Sequence, residues 1–281
     1  MHIPYLLPAT IIQLKTFVTT TSLLPVAISA ARKSGLFLKQ SVGKVKNIQT
    51  KDGEERNLVS EIDRQSEEMI IGLIRKHYPD HAILAEEGGT GAAASEYVWV
   101  IDPLDGTTNF LHNIPMFCVT IGIECKGEIV AGVVYDPNLE ELYTAERGSG
   151  AFLNGKRLHV SATSDLTQSL LVTGFPYDIS TNPNRAIERF IGFLKSARGV
   201  RRLGSAALDL CWVAAGRFDG FWEVNLHPWD TAAGLLMVGE AGGTVTDFQG
   251  KPGSIYRKEI LASNGIIHDS MANILAMSGM G

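Results

Sequence analysis

Acidic side chains recur at the ends of apolar runs in this chain. Glu86 and Glu87 follow Ile83-Leu84-Ala85, Asp102 and Asp105 follow Trp99-Val100-Ile101, and Asp230 follows Pro228-Trp229. Asp63 lies beside Ile62 inside a helical pattern. Unpaired buried carboxylates are costly, so clustered acids in apolar contexts imply raised pKa values or bound cations. No His/Cys ligand set and no HExxH motif accompanies them. Oxygen donors alone favour a hard cation, Mg²⁺ or Mn²⁺. A carboxylate site with room for water is the arrangement of two-metal phosphoryl hydrolysis.

Each acid also has a plainer reading. D-P-L-D-G at 102–106 is ordinary turn chemistry. Asp230 can cap a helix, Glu87 can be solvated, and Asp63 can be a surface acid. The stretch WVIDPLDGTTNF adds a second feature. Gly106, Thr107 and Thr108 would form the first turn of a helix after Asp105. The free N–H groups and the dipole of such a turn hold an anionic oxygen. The glycine permits close approach, and a threonine hydroxyl can bond a metal-held water.

These residues need a scaffold. PVAISAARKSGLFLKQ, with Val26, Ala30, Leu36 and Phe37, reads as an amphipathic helix from Pro25. GKVKNIQTKDGEERN is polar and reads as a mobile loop. LVSEIDRQSEEMIIGLIRKHYPD reads as a helix with Ile62, Met69, Leu73 and Tyr78 on one face, ended by Pro79. AILAEEGG, EYVWVID, FCVTIGIEC, EIVAGVVYD and ELYTAERG read as strands, and Asn154-Gly155 marks a hairpin. Beyond it, LLVTGF, FDGFWEV, GTVTDF and EILASN are strand-like. NRAIERFIGFLKSA, GSAALDLCWVAAG, WDTAAGLLMVGEAGG and IHDSMANILAMS are helical. The mixture, without strict βαβ alternation, predicts α+β layers with helices between sheets.

In these stretches the chain resembles the inositol monophosphatase family. WVIDPLDGTTNF matches its D-P-[IL]-D-G-T-x-N motif, and HPWDTAAGLLMVGEAGG matches its second signature. LVSEID and ILAEEGG are similar to its first acidic motifs, in the same order, and RRLGSAALDLCWVAAGRFDGFWE to the segment before the second signature. The resemblance runs from about Ala27 to Asn273. It implies an α/β/α/β/α layered sandwich with largely antiparallel sheets. The activity it implies is that of a Mg²⁺-dependent phosphomonoesterase, hydrolysing inositol monophosphate to inositol and phosphate with a metal-activated water. Two or three Mg²⁺, or Mn²⁺, would be held by Glu86, Asp102, the Leu104 carbonyl, Asp105 and Asp230, with Asp102 bridging. Glu86, Thr107 and Asp63 form the implied catalytic set, Asp63 orienting Thr107 as it activates the water. Gly106 and Thr107 would bind phosphate, and Gly204, Ser205, Ala206, Glu223 and Asp230 the rest of the substrate.

Glu223, ahead of Asp230, leans towards a polyol, because a carboxylate accepts hydrogen bonds from hydroxyls. Fructose 1,6-bisphosphate, histidinol phosphate and adenosine 3′,5′-bisphosphate are the alternative substrates within this chemistry. A non-enzymatic role, as a binding partner in a larger assembly, is the alternative from another class. His112, His159 and His227 read as structural or surface residues.

The whole chain agrees with a small-molecule enzyme. Its 281 residues carry 45% hydrophobic and 20% charged residues, an ordinary globular composition. A net charge of −5 argues against nucleic-acid and anionic-membrane partners, both of which rest on basic surface. Cys118, Cys125 and Cys211 form no C-x-x-C pair, and Cys118 and Cys211 have apolar neighbours. That usage fits a reducing, cytoplasmic compartment. Residues 1–24 lack a basic n-region and read as an extension rather than a signal peptide. Residues 25–281 read as one catalytic domain with lobes near 25–150 and 151–281. The resemblance further implies a homodimer.

Overall fold

A computed structural model describes residues 23–45, 48–51, 54–88, 90–91 and 95–277. The chain runs α1 (Leu23–Ser41), β1 (Ile48–Lys51), β2 (Glu54–Ser60), α2 (Glu61–His77), β3 (Ala82–Ala85), β4 (Thr90–Gly91), β5 (Tyr97–Asp105) and α3 (Thr107–Leu111). Then come β6 (Cys118–Cys125), β7 (Glu128–Asp136), β8 (Glu141–Glu146), β9 (Gly150–Leu153), β10 (Lys156–Arg157) and β11 (Leu170–Thr173). The remainder is α4 (Ala186–Ser196), β12 (Gly199–Arg201), α5 (Ala206–Ala214), β13 (Gly220–Val224), α6 (Pro228–Glu240), β14 (Thr244–Thr246), β15 (Glu259–Ser263) and α7 (His268–Met277).

Two sheets and three helix layers alternate. The larger sheet has the order β10-β9-β8-β7-β6-β5-β3-β4 and is antiparallel except where β3 meets β5. The second has the order β12-β11-β13-β15-β14, with β11 parallel to both neighbours. Helices α1 and α2 pack on the outer face of the large sheet, around Trp99, Ile101 and Phe117. Helices α5 and α6 fill the space between the sheets, around Leu208, Leu210 and Met237. Helices α4 and α7 cover the far face of the second sheet, around Phe193 and Trp222. This is the α/β/α/β/α sandwich that the family resemblance implies, and it has the α+β layers that the pattern of elements predicts.

Local differences have physical causes. Part of the polar stretch read as a loop belongs to an antiparallel hairpin, in which Ile48 faces Ser60 and Gln49 faces Val59. Leu58, Val59 and Ser60 therefore belong to a strand, and α2 starts only at Glu61. Ser60 sits in extended backbone as its N-cap, accepting from Ile62 N. In α1 the buried stripe is Leu23, Ala27, Ala30, Ala31, Ser34 and Leu38, while Leu36 is exposed. Leu23 and Leu24 belong to α1; the rest of the expected extension lies outside the described residues. The Asn154-Gly155 hairpin forms as expected, with both residues at positive φ, 48° and 80°.

Candidate active site

The ends of β3 and β5 and the N-termini of α3, α5 and α6 meet at one cavity of about 590 Å³. Glu86, Asp102, Leu104, Asp105, Gly106, Thr107, Gly204, Ser205, Ala206, Glu223 and Asp230 all line it. Of the site residues that the resemblance implies, Asp63 does not; it lies directly behind Thr107.

Strand β5 explains how two aspartates three positions apart face one place. In a regular strand such residues point to opposite faces. Here Asp102 faces Thr120 and Asp105 faces Cys118, so β5 holds one residue more than its partner between them. That bulge restores the same side for both carboxylates. Pro103, which has no N–H to lose, occupies it. Asp102 Oδ1 accepts Leu104 N at 2.9 Å and tightens the turn. Gly106 then takes φ of 100°, and a side chain there would meet the Met116 carbonyl at 2.8 Å.

Helix α2 supports this turn from behind. Its buried face carries Asp63, Ser66 and Glu67 ahead of Ile70 and Ile74. Ser66 Oγ donates to the Pro103 carbonyl at 2.8 Å. Glu67 accepts Glu87 N at 2.8 Å, fixing the turn that carries Glu86. Asp63 accepts Ser60 N at 2.9 Å and Ser60 Oγ at 2.6 Å through Oδ2. Its other oxygen lies 3.1 Å from Thr107 Oγ1, which is also 3.0 Å from the Leu104 carbonyl. The reading of Asp63 as a surface acid is therefore wrong: it is fully buried. Ser66 and Glu67 were not singled out from sequence. Their signal was polarity at helical spacing in line with Ile70 and Ile74.

Asp105 joins the two halves of the molecule. Its Oδ2 accepts Ser205 Oγ at 2.7 Å and Ala207 N at 2.8 Å, across the start of α5. The Ser205 hydroxyl is thus committed to a carboxylate, and it also accepts from Leu208 N as the N-cap of α5. Asp230 is the third residue of α6, where its Oδ2 accepts His227 N at 2.7 Å. It closes a capping box instead of being the cap itself. His227, stacked on Trp229 at 4.8 Å, is the N-cap and also lines the cavity.

The electrostatics are those of crowded acids. Burial, then Glu86, Asp105 and Asp230, push Asp102 well above the carboxylate range. Burial also raises Asp105, to about 6, against the donors of Ser205 and Ala207. Asp230 is raised by burial and by Glu86 and Asp105. Burial raises Glu223 to about 8, opposed by the nearby Arg202 guanidinium. A hard divalent cation relieves this pattern, and the donors are all oxygens, so the chemistry of the set fits Mg²⁺. Among the described residues no three acidic, His or Cys side chains converge closely enough to hold one ion as they stand. Arg202, Tyr177, Lys258 and Gly174 also line the cavity and were missed from sequence. A hint for Arg202 was the arginine pair just ahead of Gly204-Ser205.

The layered fold and its acid-lined cavity beside a helix N-terminus define the class, a phosphatase. The chain belongs to the inositol monophosphatase family, whose model matches residues 20–278. It is 43% identical to an inositol-1-monophosphatase of Mesorhizobium japonicum, over 89% of this chain and 95% of the relative. It is 44% identical to the Nus factor SuhB of Pseudomonas aeruginosa, over 86% and 91%. The crystal structure of the extragenic suppressor protein suhB from Bartonella henselae superposes with a TM-score of 0.86 at 43% identity, over 90% and 98%.

Proposed function

We propose that the protein is a Mg²⁺-dependent phosphomonoesterase that converts inositol monophosphate to inositol and phosphate. The observation that carries this reading is the joining of the Asp63–Thr107 pair to a cavity where Glu86, Asp102, Asp105 and Asp230 meet at the N-terminus of α3. Glu86, Asp102, the Leu104 carbonyl, Asp105 and Asp230 would hold two or three Mg²⁺, with Mn²⁺ as the alternative ion. When bound, the cations neutralise the phosphate, acidify the attacking water and stabilise the leaving alkoxide.

The chain's own groups do the rest. Thr107 donates its hydroxyl proton towards Asp63 Oδ1, which leaves a lone pair on Oγ1 for a proton of the attacking water. Gly106 and Thr107 present first-turn N–H groups to phosphate oxygens. Gly204, Ser205 and Ala206 shape the alcohol side, where Glu223 accepts substrate hydroxyls. Attack is in line with no phosphoenzyme, so positioning and charge placement carry the catalysis.

The same reading makes the protein a cytoplasmic homodimer in which the extension expected at residues 1–24 is dispensable for turnover as far as Leu23. Because Leu23 is buried in the core, a truncation should stop before it. No helix among the described residues is long and apolar enough to cross a membrane. The test is phosphate release with and without EDTA from inositol 1-phosphate, fructose 1,6-bisphosphate, histidinol phosphate and adenosine 3′,5′-bisphosphate. Highest kcat/KM on inositol 1-phosphate supports the reading. Preference for any of the others moves the substrate, and release that survives EDTA removes the metal.

The relative named Nus factor SuhB favours a second reading, a non-catalytic place in a larger assembly. Asp102→Asn separates the two: an assembly role would survive the loss of turnover.

A further inference from the structure

The run Gly174–Asp178 leaves β11 and forms one wall of the cavity. Its start is fixed against β13. Thr173 pairs with Trp222 and donates its hydroxyl to the Trp222 carbonyl at 2.5 Å. A Cβ on Gly174 would fall 2.2 Å from Glu223 Oε1, so the glutamate lies flat on this backbone. The segment and Glu223 therefore share the alcohol side.

The aromatic residues of the run part ways. Phe175 turns towards the outer core and meets Phe190 edge-on at 5.3 Å. Tyr177 stays at the cavity, 45% exposed. Among the described residues its ring contacts no other ring and its hydroxyl makes no hydrogen bond. Burial, and after it the charges of Glu86, Asp230, Asp105 and Asp102, raise the pKa of its hydroxyl. A half-exposed aromatic side chain on the wall of a binding cleft offers an apolar surface to whatever the cleft holds.

We propose that Tyr177 is a specificity-determining residue whose ring stacks on the C–H face of a cyclic polyol while Glu223 accepts its hydroxyls. This deepens the phosphomonoesterase reading and rests on it for the identity of the cavity. A cyclic polyol has the two surfaces the site offers: a flat face of C–H groups for the ring, and a hydroxyl edge for the carboxylate. An acyclic polyol has no such face to stack.

The test compares Tyr177→Ala and Tyr177→Phe with the unaltered protein, using inositol 1-phosphate as the cyclic and glycerol 2-phosphate as the acyclic substrate. Tyr177→Ala is expected to raise KM for inositol 1-phosphate about tenfold with kcat nearly unchanged, and to move KM for glycerol 2-phosphate far less. Tyr177→Phe should restore the cyclic KM, since the ring acts and the hydroxyl does not. An equal KM rise on both substrates overturns the proposal, as does a fall in kcat alone, an unchanged KM, or failure of the phenylalanine to rescue. Calorimetric titration of all three proteins with inositol 1-phosphate in EDTA and in Ca²⁺ gives a readout independent of turnover. If the unaltered protein releases no phosphate but binds inositol 1-phosphate and loses that binding in Tyr177→Ala, the phosphatase reading fails and the aromatic platform stands. If it binds no inositol 1-phosphate at all, the platform falls.

Discussion

Thr107 Oγ1 lies 3.1 Å from Asp63 Oδ1, joining residues 44 positions apart in the chain. One comes from the first turn of α2 and the other from the first residue of α3. The pair sits at the back of the cavity, where Thr107 is the only one of the two that lines it. A buried acid holding a threonine hydroxyl in this way leaves an oxygen lone pair for a water.

If this pair works as a unit, Thr107→Val and Asp63→Asn each lower kcat by about 10²–10⁴-fold, the usual contribution of a positioned base. The double variant should lose little more than the worse single one. Asp63→Ala should also lose about 1 kcal/mol of stability, because Ser60 loses its partner, whereas Thr107→Val should not. Steady-state kinetics and urea unfolding check both halves. Normal kcat in Thr107→Val would remove threonine from the mechanism.

Asp102 carries the second prediction. Its carboxylate is 2% exposed and repelled by Glu86, Asp105 and Asp230. Asp102→Asn should abolish turnover at moderate Mg²⁺ and leave the thermal midpoint in EDTA near neutral pH at least as high, since a protonated aspartic acid and an amide match in charge and shape and Oδ1 still accepts Leu104 N. Near-normal turnover, or a lower midpoint in EDTA, would contradict the assignment.

The raised acids set a pH dependence. Asp105 at about 6 and Glu223 at about 8 both lie above their unfolded values near 4. The folded state then binds more protons than the unfolded chain, so stability falls as pH rises. In EDTA the thermal midpoint should decline from about pH 5 to about pH 8. Mg²⁺ should restore stability most at the alkaline end and should release protons on binding near neutral pH. A midpoint that rises across this window without metal would refute the account.

Glu223 tests the substrate class. With a pKa near about 8 in the metal-free cavity it is neutral at pH 7, and bound cations would draw it down. A neutral glutamate resembles glutamine, whereas an ionised one is the stronger acceptor. The penalty of Glu223→Gln on inositol 1-phosphate should therefore grow with pH, reaching about tenfold in kcat/KM. Turnover of a simple aryl phosphate should change far less. Equal losses on both substrates would place Glu223 with the scaffold.

The amino-acid sequence by itself determined the chemistry available and most of the elements. Local patterns suffice for that: apolar runs that end on acids, Pro79 as a helix stop, and Asn154-Gly155 as a hairpin. Which acid faces which was decided by tertiary structure. Asp102 and Asp105 share a side only because β5 bulges against β6, a register that no local spacing encodes. Asp63 could be read as a surface acid and Ser66 and Glu67 drew no reading, yet all three lie on the buried face of α2, because each meets a partner from a distant segment. Tyr177, Arg202 and Lys258 reach the cavity from loops and an edge of the second sheet. Their placement depends on how two sheets stack across α5 and α6. A side chain's type is local, but its burial and charge environment come from contacts far along the chain, and those contacts turn scattered acids into a site.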